Sequence, residues 1–127
     1  MCSSDLPFIY NTWSREKTPE TQPIINESYS KLSATCNAVR VRVGDCWQEY
    51  LKRSPNSNLY FSDGSHPSNL GTFIAALCFV KAILGRLPQN LPSVFNYFDK
   101  DGETFRIMQI TKEEMSLSLE VVNKLIN

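Results

Sequence analysis

The spacing of hydrophobic positions alternates along the first 85 residues. Short β-branched and aromatic runs, typical of buried strands, alternate with segments whose apolar residues recur every three or four positions, typical of helices. The strand-like runs are Leu6 to Trp13, Ala38 to Val43 and Leu59 to Phe61. The helix-like segments are Ile24 to Ala34, Cys46 to Arg53 and Ser68 to Leu84. This order predicts an α/β protein, a three-layer α/β/α (flavodoxin-like) parallel sheet, and three strands make that sheet a thin one.

Polar residues at the segment ends predict where the helices begin and end. Asp45 is placed to cap the second helix, and Ser68 to cap the third. Gly85 marks the end of the third helix, which is apolar nearly all round and so is expected to be buried on more than one side. The first helix has a single apolar face, expected to consist of Ile24, Ile25, Tyr29 and Leu32.

The pattern changes after residue 87. Two strand-like runs flank an Asp-Gly pair at Asp101, which predicts a hairpin, and an amphipathic helix follows from Lys112 to Ile126. Asp99 and Asp101 also suggest a calcium loop, but EF-hand spacing would place Tyr97 at the first ligand position. We therefore predict two units, residues 1–87 as an α/β domain and residues 88–127 as a hairpin and helix extension.

Composition excludes several classes of function. Thirteen basic residues balance thirteen acidic ones, which argues against a nucleic-acid partner, and a single histidine excludes a His-rich zinc site within one chain. The most apolar stretch, Leu70 to Leu84, is too short to span a bilayer. The four cysteines are interpreted as free thiols, and the N-terminus shows no signal-peptide pattern. A cytoplasmic location is the default expectation.

Asp63 and His66 form the most specific candidate site. They lie where a predicted strand ends and a buried helix begins, the position at which ligands bind in open α/β sheets. A carboxylate three residues before an imidazole can orient one ring nitrogen and leave the other for a nucleophile. The alternative is that Asp63 and Ser68 only cap turns and that His66 is an exposed loop residue.

The residues around this pair resemble those of a known family. Residues 59–83, LYFSDGSHPSNLGTFIAALCFVKAI, resemble the C-terminal block of SGNH/GDSL-type hydrolases, in which an Asp-x-x-His motif supplies two members of the catalytic triad. The upstream runs PFIYNTWSREKTPE and VRVRVGDCWQEYLKRSPNSNLY are similar to the segments that precede that block, so the resemblance covers about residues 6–87. It implies that His66 is a general base, that Asp63 orients it, and that no cofactor or metal takes part.

The resemblance implies hydrolysis of an ester, such as a carbohydrate acetyl ester, through a serine nucleophile. The family's Gly-Asp-Ser block and its oxyanion glycine and asparagine blocks precede the part that this chain matches. Ser3 and Ser4 lack that context. We therefore expect the C-terminal half of such a hydrolase, inactive alone, with export open if a leader precedes it.

Two other interpretations remain. A half sheet would expose a strand edge and apolar helix faces, which favours a non-catalytic assembly or binding module that associates with a second copy, as a homo-oligomer, or with a separate N-terminal half. Alternatively, Cys46 at a helix N-terminus is a substitute nucleophile beside His66, although packing is the commoner role of such a cysteine. Arg40 and Arg42 on the valine-rich strand are either an anion site or a solvated face.

Overall fold

A computed structural model describes residues 5–127, which form a mixed α/β fold. Within that range there are four helices and two small sheets. In chain order the elements are β1 Phe8–Asn11, a 3₁₀ turn Pro19–Thr21, α1 Gln22–Cys36, β2 Val39–Arg42, α2 Val43–Arg53, α3 Asn69–Leu84, β3 Val94–Phe98, β4 Thr104–Gln109 and α4 Lys112–Leu125.

The first sheet consists of β1 and β2, which pair in parallel. Phe8 lies opposite Val39, and Asn11 lies opposite Arg42. The predicted third strand, Leu59 to Phe61, is not part of this sheet. Tyr60 forms only an isolated antiparallel bridge with Pro67. The segment's backbone groups bond to the chain that follows it, so they are used for closing a local loop.

Two expectations about the first helices are wrong in detail. Asp45 does not cap α2, because the helix already begins at Val43 and Asp45 lies in its first turn. Its carboxylate instead accepts a hydrogen bond from Arg42 Nε at 2.7 Å. The predicted apolar face of α1 is also incomplete, since Ile24 and Leu32 are exposed.

The core lies between α2, α3 and α4. Its largest buried side chains include Trp47 and Tyr50 from α2, Ile74 from α3 and Val121 from α4. Both predicted units therefore contribute residues to the same core, with α4 packed on α2 and α3. Gly71 allows α3 to approach α2 closely, because a Cβ atom there would lie 2.6 Å from the Trp47 ring.

The ends of α3 and the C-terminal elements agree with the predictions. Ser68 Oγ accepts a hydrogen bond from Gly71 N at the start of α3, and Gly85 ends that helix with a φ of 75°. The predicted hairpin is formed by β3 and β4, which pair antiparallel. Helix α4 begins with a capping box between Thr111 and Glu114.

Polar side chains join the carboxyl end of the parallel sheet to α1 and α2. Asn11 Oδ1 accepts from Arg40 Nη1 at 3.0 Å, and Asn11 Nδ2 donates to Asn26 Oδ1 at 3.1 Å. Asn26 Oδ1 also accepts from Gln22 Nε2 at 2.9 Å, while Asn26 Nδ2 donates to Asp45 Oδ1 at 2.7 Å. We call these five side chains the polar network. Their groups satisfy one another where Asn11 and Gln22 are buried.

Among the helices of residues 5–127, none is both long and apolar enough to cross a membrane.

Candidate functional site

The candidate site is the loop from Asp63 to His66, which the Asp63 carboxylate organises. Asp63 Oδ1 accepts hydrogen bonds from the backbone N–H groups of Ser65 and His66, both at 2.9 Å. Its second oxygen, Oδ2, lies 2.5 Å from His66 Nδ1. Gly64 has a φ of 68°, in the left-handed region, which lets the chain turn back tightly between the two side chains.

The two sides of the loop are joined to each other at its base. Phe61 N donates to the His66 carbonyl at 2.7 Å, and Ser68 N donates to the Leu59 carbonyl at 2.9 Å. Because Ser68 also caps α3, the loop ends where a buried helix begins. The position of His66 is therefore tied to the core through its own backbone.

The segment that follows β1 holds the outer part of the loop. Trp13 Nε1 donates to the Ser65 carbonyl at 2.8 Å, and Glu16 N donates to the Gly64 carbonyl at 2.9 Å. Trp13 itself stacks on Trp47, with the ring centroids 3.9 Å apart. These contacts bring the end of the first strand to the Asp-His loop.

Sequence analysis did not identify Trp13, Glu16 or Tyr60 as part of this site. Tyr60 donates its hydroxyl to the Ser14 carbonyl at 2.7 Å and so supports the same segment. One pattern pointed to Trp13, because it is the last residue of the predicted strand Leu6 to Trp13 and ligand sites gather at such ends. Glu16 contributes through its backbone N–H, and the identity of its side chain gives no signal of that contact.

The Asp63 carboxyl group is strongly stabilised in its ionised form. The hydrogen bond with the His66 side chain, followed by those from the Ser65 and His66 amides, lowers the pKa of Asp63 to about 2. An ionised carboxylate can only accept a hydrogen bond, so His66 Nδ1 carries the proton that it donates to Asp63. The His66 side chain is 78% exposed.

This arrangement has a defined chemical capacity. Because Nδ1 is engaged by Asp63, Nε2 is the ring nitrogen left for another group, and the carboxylate can stabilise an imidazolium if Nε2 takes up a proton. Asp63 can therefore orient His66 as a general base that acts through Nε2. Both members of the predicted dyad come together as a hydrogen-bonded pair in an exposed loop.

The other candidate residues lie in different settings. Cys46 is fully buried beside Cys78. The hydrogen bond between the two thiols, together with burial, raises the pKa of the Cys78 thiol. Cys36, Cys46 and Cys78 are free thiols. Ser3 and Ser4, like Cys2, lie outside the described residues. The Cys46 thiol, proposed as a substitute nucleophile, therefore has no access to solvent.

The remaining polar candidates are used in structural contacts. Arg40 donates to Asn11 and to the Asn26 carbonyl, and Arg42 donates to Asp45, so both guanidinium groups already have protein acceptors. Asp99 Oδ1 accepts from the backbone of the hairpin turn. Within residues 5–127 there is no group of three or more His, Cys, Asp or Glu side chains arranged to hold a metal ion.

Comparisons with known proteins add no family assignment. The chain has no significant match among family models, curated proteins or solved structures.

Proposed function

We propose that this chain carries the Asp-His part of an SGNH/GDSL-type serine hydrolase acting on ester bonds, such as those of a carbohydrate acetyl ester. The observation that carries the proposal is the hydrogen bond between His66 Nδ1 and Asp63 Oδ2 in a loop fixed at both ends. An exposed imidazole oriented in this way is the general-base half of a triad.

We further propose that the fold belongs to a three-layer α/β/α, flavodoxin-like sheet to which β1 and β2 contribute two parallel strands. Parallel sheets normally have both faces covered by helices and contain more than two strands, which favours completion by further strands. The loop from Asp63 to His66 would then lie at the carboxyl edge of that sheet, next to the end of β1.

In the proposed reaction, His66 Nε2 takes the proton from a serine hydroxyl as the serine oxygen attacks the ester carbonyl. The alcohol leaves with that proton, and water then attacks the acyl-serine by the same route to release the acid. Asp63 stays ionised and stabilises the imidazolium. Because the matched residues do not include the family's serine and oxyanion blocks, we expect this polypeptide alone to be inactive.

Hydrolysis of p-nitrophenyl acetate tests the proposal in two steps. The purified 127-residue chain should hydrolyse the ester no faster than buffer alone does. The reading frame that extends upstream of Met1 should encode a strand followed by Gly-Asp-Ser, and its product should lose most activity on His66→Ala. Esterase activity of the 127-residue chain that depends on His66 would contradict the predicted inactivity, and an upstream frame without the serine block would contradict the proposed family.

A non-catalytic assembly module is the second candidate, favoured by one face of the hairpin. Tyr97 pairs with Phe105 across the strands, and both side chains, with that of Ile107, are more than half exposed. Neighbouring apolar side chains of this kind are typical of protein contact surfaces. Light scattering after size-exclusion chromatography tests this candidate, because a dimer that Phe105→Ser dissociates would support it and a monomer would oppose it.

A further inference from the structure

A cavity of about 320 Å³ lies behind the segment that holds the Asp63–His66 loop. Its walls include the rings of Trp13, Trp47 and Tyr60, together with Leu51 and two prolines. The volume is within the range of small-molecule sites in proteins, which are mostly apolar with a few polar groups. This cavity is separate from the hydrogen bond between Asp63 and His66.

The N–H and O–H groups of the three aromatic residues in the wall are already engaged by the protein. Trp13 Nε1 donates to Ser65 O, Trp47 Nε1 donates to Gly71 O, and the Tyr60 hydroxyl donates to Ser14 O. Gln48 Nε2 donates to Pro19 O. A ligand therefore meets aromatic rings whose N–H and O–H groups point to other partners.

Ser14 supplies a polar group inside the cavity. The residue is 2% exposed, and its backbone N–H and carbonyl are bonded to Gln22 and Tyr60. Ser14 is one of the residues that line the cavity. Its side-chain hydroxyl can accept a hydrogen bond as well as donate one.

Glu16 places a negative charge at the rim of the same cavity. Its carboxylate forms no ion pair within the described part of the chain, and Oε1 would lie 3.6 Å from a Cβ atom built at Gly64. Burial raises the pKa of Tyr60, and the charge of Glu16 adds to that effect, so the field of the carboxylate reaches the cavity wall. The negative charge of Glu16 and the aromatic walls favour a cation with an apolar body.

We propose that this cavity binds an organic ammonium ion, with the ammonium group at Glu16 and Ser14 and the apolar body against Trp13, Trp47 and Tyr60. The assignment does not depend on the proposed esterase function. An occupant would contact two residues, Trp13 and Glu16, that hold the carbonyls of Ser65 and Gly64. Binding is therefore expected to change the environment of the backbone in the Asp63–His66 loop.

Tryptophan fluorescence tests this proposal directly, because both tryptophans of the chain line the cavity. Three probes of one shape separate charge from size: cyclohexylammonium, cyclohexanol and cyclohexanecarboxylate. We expect a saturable change with the ammonium ion, at least about fivefold weaker binding of the alcohol, and none of the carboxylate. The amide resonances of Gly64 and Ser65 should shift with the same saturation curve.

Variants of two acidic residues complete the test. Glu16→Gln should weaken cyclohexylammonium binding about fivefold. The matched control Glu20→Gln, exposed and outside the cavity wall, should leave binding unchanged, and both variants should keep the unfolding temperature of the parent chain. The proposal is overturned if no probe gives a saturable response, if the ammonium ion and the alcohol bind equally, or if Glu16→Gln leaves ammonium binding unchanged. It is also overturned if a neutral sugar, methyl glucoside, binds more tightly than the ammonium ion.

Discussion

Trp13 and Trp47 stack face to face, with 3.9 Å between ring centroids and 9° between ring planes. The N–H of Trp13 points away from the stack and donates to the Ser65 carbonyl at 2.8 Å. Trp13 therefore connects the buried side of α2 to the loop that holds His66. The stack fixes where the indole lies, and the hydrogen bond fixes where the loop lies relative to it.

Trp13→Phe separates these two contributions. The phenyl ring keeps most of the stacking on Trp47 but leaves the Ser65 carbonyl without its donor, so we expect the free energy of unfolding to fall by about 1 kcal/mol. Urea denaturation measures this change. Tyr10→Phe is the control, since it removes a hydroxyl from a half-exposed ring next to Trp13. Equal effects of the two substitutions would refute the role of the N–H.

The Asp63 hydrogen bonds predict a pH dependence of the loop. The pKa of Asp63 is lowered to about 2, so the carboxylate is ionised in the folded loop at pH values where an unfolded one is partly protonated. The stabilising contribution is fully present above about pH 4, the ordinary range of a carboxyl group, and is lost as pH falls through about 2.

The amide proton shifts of Ser65 and His66 report this transition, because both groups donate to Asp63 Oδ1. We expect their shifts to titrate with a midpoint near pH 2, and Asp63→Asn to abolish this midpoint. A midpoint near 4 would mean that the carboxylate gains nothing from its partners.

Gly71→Ala is expected to destabilise the fold by about 2 kcal/mol or more. The added methyl group would lie 2.3 Å from the Leu59 carbonyl and 2.6 Å from the Trp47 ring, and neither the backbone nor a fully buried indole can move freely. Thermal and urea unfolding measure the change. Thr72→Ala, one position along α3 and exposed, should stay within about 0.5 kcal/mol of the parent chain.

Ser118→Ala is expected to stabilise the protein. Ser118 is fully buried in α4, and its hydroxyl has no hydrogen-bond partner within residues 5–127, so its desolvation is uncompensated. Ser116→Ala, at an exposed position of the same helix, controls for the higher helix propensity of alanine. We expect Ser118→Ala to exceed Ser116→Ala by about 1 kcal/mol in the free energy of unfolding. A smaller gain at Ser118 would show that the hydroxyl is satisfied.

The features that depend on local chemistry could be predicted from the sequence. The hairpin around Asp101, the Ser68 cap and the Gly85 stop each follow from one or two residues with strong backbone preferences. The hydrogen bond between Asp63 and His66 has the same origin, since their spacing across a glycine brings the two side chains together. These interactions form between residues that are close in the sequence, so they depend little on the rest of the chain.

The features that depend on tertiary partners were not accessible in this way. Leu59 to Phe61 has the composition of a strand, but its backbone hydrogen bonds close the loop instead of extending the sheet. Asp45 has the character of a cap, yet Arg42 and Asn26 occupy its carboxylate. The contribution of Trp13 depends on Trp47, which lies thirty-four positions later, in helix α2.

The polar network has a consequence for how this end of the molecule opens. Apolar contacts tolerate small slips, whereas the bonds of Asn11 with Arg40 and Asn26, and of Asn26 with Asp45, require one alignment of the elements that they join, β1, β2, α1 and α2. A shift of one residue between the strands would break several of them together. Fraying here is therefore expected to be all-or-none, so that the amides of β1 and β2 exchange their hydrogens as a single cooperative unit.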